Sequence, residues 1–191
     1  MALIDDFLPL HQFSERHFRD VAAGPDQVMQ AAAAYQPDSD RFFTAMIGLR
    51  ELPMRAAAVL TGRTARLPPV FGMHNFTRLG ERPGRELVFG LVGQFWKPDF
   101  GLASISDGEA FLAFGEPGFV KLALGFSASV LPDGRTRLVT ETRVFCPDAA
   151  SRRRFTPYWY LIRPVSGLIR GRILRSIQRA SEKAKPVSSA A

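Results

Sequence analysis

Apolar side chains recur along this chain with two different periods, and the change of period divides it. Residues 13–23 alternate, with His17, Arg19 and Val21 on one side and Phe18 and Asp20 on the other, which predicts a first strand. Gly24-Pro25 stops it, and Pro25 followed by Asp26 suits the positive end of a helix. Val28, Met29, Ala32 and Tyr35 then step at helical spacing until Pro37. Asp38-Ser39-Asp40 offers the cap of a second helix over residues 40–62. Its stripe of Phe42, Phe43, Met46, Ile47 and Leu49 is interrupted at Pro53 and closed at Gly62.

From residue 70 to residue 146 the period is two. Runs 71–79 and 85–96 flank an Arg82-Pro83-Gly84 turn, residues 109–114 read as a short strand, and runs 120–130 and 135–145 flank Pro132-Asp133-Gly134. Gly90 and Gly93 inside the second run mark the bend or bulge that a curling sheet needs. Asp148 caps a helix predicted to reach about Lys185. Phe155, Tyr158, Ile162, Val165, Ile169, Ile173, Ile177 and Ala180 line one face of it, with Pro164 as an internal kink. Residues 1–12 read as a lead-in and 186–191 as a disordered tail. The order is strand, two helices, antiparallel strands on short connections, then one long amphipathic helix. It predicts an α+β fold, a curved antiparallel sheet wrapped around its C-terminal helix, as one domain over residues 1–185.

Composition narrows the chemistry. A chain of 191 residues can bury roughly 70% of its unfolded surface, so it needs no metal or disulfide to fold. Cys146 stands alone, and His11, His17 and His74 are scattered without zinc spacing, so neither a metal nor a cofactor is expected. No apolar stretch approaches the roughly 18 residues of a membrane span, and the start lacks the basic residues of a secretory signal, which predicts a cytoplasmic protein. The net charge of +7 is concentrated, because residues 151–185 hold ten Lys or Arg against the single acid Glu182. A solvated outer helix face explains that run better than a nucleic-acid site, for which no motif is present; contact with an anionic membrane surface is its other use. The 16 phenylalanines predict an interior of large flat rings.

The stretches SERHFRDVAAGPDQVMQAA (14–32), LRELPMRAAAVLTGR (49–63), RLVTETRVFCPD (137–148) and FTPYWYLIRPVSGLIRGRILRSIQR (155–179), with the element order, resemble the START-like or SRPBCC superfamily. Within it the chain is similar to an uncharacterised bacterial group. The resemblance implies the helix-grip fold of lipid-transfer domains, polyketide cyclases and birch-pollen-allergen-like proteins. It also implies a hydrophobic cavity between sheet and helix, and it supplies no universal catalytic residue. The helical insertion at residues 40–62 is longer than the helix pair of the plainest members.

The expected function is binding or carriage of a lipid or polyketide-like molecule in that cavity. The expected lining is Val88, Gly90, Gln94, Trp96, Phe114, Phe126, Tyr158, Trp159 and Ile162, with small residues at Gly90, Ala123, Gly125, Ser127 and Ser129 leaving room. Glu141 and Arg143 share one face of the last strand. Facing inward they would orient a polar head, and facing outward, the favoured reading, they are a rim pair. His74 beside Asn75 could serve as a base, but a plain hydrogen-bonded histidine fits the pattern better. The alternatives are a cyclase or dehydratase using the same cavity, and an interaction domain docking through its basic helix.

Overall fold

The computed structural model describes residues 1–35, 73–97 and 99–183. The helix expected over 40–62, the start of the run at residue 71 and the tail lie outside the described residues. Strands β1 (Phe13–Val21), β2 (Thr77–Arg82), β3 (Glu86–Gly93), β4 (Val120–Val130) and β5 (Thr136–Phe145) form one sheet in the order β1-β5-β4-β3-β2. Every neighbouring pair is antiparallel. The hairpins turn where the sequence places them, with Gly84 and Gly134 in the left-handed region at φ 69° and 80°. Helix α2 (Pro25–Ala33) carries its proline in the first turn. The long C-terminal helix α4 (Ala149–Lys183) is capped by the Asp148 carboxylate, which accepts from the Ser151 N–H at 2.7 Å.

Three expectations are corrected. Residues 109–114 are not a strand. They fall in helix α3 (Gly108–Ala113), because Asp107 accepts from the Ala110 N–H at 2.8 Å and so starts a helical turn. The lead-in contains helix α1 (Leu3–Phe7), five residues too few to show a period, with Leu3 and Ile4 buried. Strand β3 ends at Gly93 rather than Trp96, since the Gln94 N–H turns to the Phe100 carbonyl at 2.8 Å. Helix α4 also runs through Pro157 and Pro164. Each proline gives up one backbone hydrogen bond without ending the helix.

The sheet separates two layers. Its inner face meets α2 and α4: Val21, Leu87, Leu124, Phe126 and Leu138 pack with Val28, Met29, Ile173, Leu174 and Ile177. At the other end of α4, Phe155 and Trp159 pack with Leu91, Phe95, Val120 and Val144. The outer face meets α1 and α3 through Leu3, Ile4, Val88, Val92, Phe111 and Ala123. Side chains as fully enclosed as Phe111, Phe155 and Ile177 each contribute roughly 1.5–3 kcal/mol.

Candidate functional site

Helix α4 is tightly packed at its ends and not between them. Ser151, Phe155 and Trp159 are buried at one end, and Ile173, Leu174, Ile177 and Ser181 at the other. Apart from the enclosed guanidinium of Arg170, no side chain of residues 160–172 is fully buried. Of the predicted buried face, Phe155 and Ile173 are enclosed, while Tyr158, Ile162, Val165 and Ile169 are half-buried. The expectation of a continuously buried stripe is corrected to that extent.

Below this middle stretch the inner face turns polar. Strand β1 places Glu15 opposite Thr142 of β5, and His17 opposite Thr140. On the far side of β5, Leu124 and Phe126 of β4 pair with the same two threonines. His17 Nε2 lies 2.8 Å from Glu15 Oε1, the His17 side chain being 31% exposed and that of Glu15 only 9%. Gly167 of the helix faces them: a methyl group there would stand 3.4 Å from Glu15 Oε1 and 3.6 Å from the His17 ring, ordinary van der Waals contact. Arg170 reaches down from α4 and donates through Nη1 to Thr140 Oγ1 at 3.3 Å. Among the described residues, its enclosed Nε has no acceptor and the enclosed Thr142 hydroxyl has no partner. Burial pushes Arg170 down to about 10, the Glu15 charge opposing the shift.

Arg170 is the functional candidate that the basic run concealed. It stands three residues before Ile173, four before Leu174 and seven before Ile177, so it shares their buried face rather than the solvated one. Spacing alone could have separated it from Arg163, Arg172, Arg175 and Arg179, none of which is buried. Glu15 was legible too, in phase with His17, Arg19 and Val21.

The structure divides the residues expected to line one cavity. Trp96, Tyr158 and Trp159 come together at the N-terminal end of α4, where Phe13 and Phe155 meet at 5.2 Å. Phe126 lies on the inner face against Phe89, ring centroids 6.4 Å apart. Ile162 belongs to the half-buried stretch. Val88, Gly90, Phe114, Glu141 and Arg143 are on the opposite side of the sheet. Alternation along β3 and β5 sends Val88, Gly90, Glu141 and Arg143 outward when Leu87, Phe89, Leu138 and Thr140 point in, and Phe114 follows α3 on that side. Gly90 therefore opens no space under α4, since a Cβ there would come within 2.7 Å of the Leu79 side chain. The smallness of Gly125 likewise admits Ile4 of α1. Gln94 ties two loops, donating to the Gly118 carbonyl at 3.1 Å.

Arg143 and Glu141 form an ion pair of 2.6 Å beneath α1, and Arg143 also meets Asp5 at 2.6 Å. They border a cleft of about 180 Å³ with Arg16 and Glu86. A second cleft, about 340 Å³, lies at the end of β3 against residues 102–105, with His74 and Gly90 on its wall. His74 sits in a one-turn 3₁₀ helix (Met73–Asn75) rather than in a strand.

The remaining chemistry is sparse. Cys146 is buried and its thiol pushed up to about 11, so it is no nucleophile at neutral pH. Among the described residues, no group of three His, Cys, Asp or Glu is placed to hold a metal ion, and no helix is long and apolar enough to cross a membrane.

No protein-family model matches the chain, and no curated protein does. The crystal structure of protein MLL2253 from Mesorhizobium loti is similar at 13% identity with a TM-score of 0.40, over 91% of this chain and 99% of that one. At that level of likeness no property is carried over.

Proposed function

We propose that the chain binds an apolar small molecule, lipid-like or polyketide-like, in a compartment between the inner face of the sheet and the middle of α4. One observation carries the reading: residues 160–172 contain no fully buried apolar side chain, only the enclosed Arg170 guanidinium, although both ends of the same helix are sealed by apolar packing. Ligand sites are mostly apolar with a few convergent polar groups. Ile169, which packs in the same apolar cluster as Leu124 and Phe126, would supply such walls beside Thr140, Thr142 and Arg170. The START-like resemblance supports the same location. Binding takes precedence over catalysis because the polar groups here are a guanidinium, two hydroxyls and a paired His17–Glu15, with no activated nucleophile beside them.

An apolar fluorescent probe should bind the folded chain saturably. Ile169→Trp, which adds bulk in the middle of α4, should weaken that binding by roughly tenfold or more while leaving the circular dichroism spectrum and cooperative melting in place. A folded Ile169→Trp chain that binds the probe as well as wild type would overturn the location.

A further inference from the structure

We infer that Arg170, with Thr140 and Thr142, receives the negatively charged head of the bound molecule, a single carboxylate-type anion on an apolar tail; this rests on the compartment proposed above. An arginine has five N–H donors and keeps its charge at neutral pH. Here one of them is engaged, by the Thr140 hydroxyl at 3.3 Å, and the Nε donor is enclosed with no acceptor among the described residues. A buried donor without a partner is costly, and a buried charge without one more so. The second enclosed group without a partner is the Thr142 hydroxyl, on the same face two residues along β5, roughly 7 Å away by strand geometry. A hydroxyl can donate as well as accept. Two unmatched groups therefore border one patch of the inner face, and both complement an oxygen acceptor.

The groups facing this patch fix the charge of the ligand. From β1 come Glu15 and His17, which are bonded to each other. From β5 come the two neutral threonines, and from α4 Arg170. No carboxylate of the described residues forms an ion pair with the Arg170 guanidinium, and Glu15 acts on it only through its field. One guanidinium can pair directly with at most one singly charged anion, because the Glu15 carboxylate already lies in its field. A doubly charged phosphate would meet Glu15 with too little positive charge beside it. The apolar neighbours Leu124, Phe126 and Ile169 suit a hydrocarbon tail.

The test compares a dansyl-labelled long-chain fatty acid with its methyl ester, on wild type, Arg170→Gln and Thr142→Val. The acid should bind wild type at least roughly tenfold more tightly than the ester, the scale of a charge-assisted hydrogen bond in an enclosed site. Arg170→Gln should erase that preference by weakening the acid alone, and Thr142→Val should reduce it. Equal binding of acid and ester to wild type overturns the anion assignment and leaves the compartment standing. No saturable binding of either overturns both. The wild-type comparison decides the matter even if a variant fails to fold.

Discussion

The two faces of the sheet treat charge in opposite ways. On the outer face three arginines have their acids. Arg143 meets Glu141 and Asp5, Arg82 meets Asp6 and Glu86 at 2.9 and 2.7 Å, and Arg137 holds Asp20 through two bonds of 2.8 and 2.9 Å. Two of these arginines fasten α1 to the strands. On the inner face Arg170 has a single hydroxyl for company. Paired charges of the first kind hold a structure together, whereas a lone enclosed guanidinium leaves donor capacity for something else.

The sharpest way to break this comparison is to put a charge into each part of α4. Ile177 is 0% exposed, and Ile177→Asp should cost about 4 kcal/mol or more, enough to abolish cooperative unfolding. Ile169→Asp, in the half-buried stretch, should cost less than half as much by thermal denaturation. Equal damage would mean that the helix is sealed along its whole length.

Next comes the outer network. Arg143→Ala leaves Glu141 and Asp5 without their shared cation and should cost about 2–3 kcal/mol in chemical denaturation, tempered by the partial exposure of both acids. The same network sets an acid limit. The hydrogen bond from Arg143 holds the Asp5 carboxyl below its ordinary value of 3.8. A depressed folded value means a contribution that is complete above about pH 4 and lost as pH falls through the folded value. Stability should therefore fall on acidification below that point, and Asp5→Asn should flatten the slope. An unchanged slope would detach Asp5 from the network.

The smallest effect is expected at Arg170. Arg170→Leu should leave stability within about 1 kcal/mol of wild type, or raise it, because the guanidinium forms no ion pair with a described residue and Glu15 acts on it only through its field. A loss above about 2 kcal/mol would make Arg170 a structural residue like Arg143.

The elements long enough to show a period were legible in the sequence: β4, β5, α4 and the first turn of α2 stand where alternation, Pro25 and Asp148 put them. The short pieces were not. Five residues of α1 and six of α3 contain too few turns for a period, and only the cap at Asp107 announces the second. The candidate site was half legible for a different reason. Alternation shows that Val88, Gly90, Glu141 and Arg143 share faces, but not which face meets the last helix. That depends on α1 covering one side, a contact of Ile4 with Gly125 that no local pattern encodes. Arg170 was obscured by its neighbours, since a basic run draws attention to its total charge and away from the one member in phase with Ile173 and Ile177.

The order of strands in the sheet has a consequence for how the chain is made. Strand β1 emerges first, yet its partner is β5, with Phe13 opposite Val144 and Val21 opposite Thr136. Until residues 136–145 have left the ribosome, β1 lacks its partner β5, and the exposed Phe18 and the alternating apolar positions beside it form an open strand template. Closing so long a loop is entropically slow. While the residues between β1 and β5 are made, the nascent chain therefore carries β1 without its partner, the condition under which partly made sheet proteins stick to one another. A chain truncated in the turn between β4 and β5 would stay in that condition permanently.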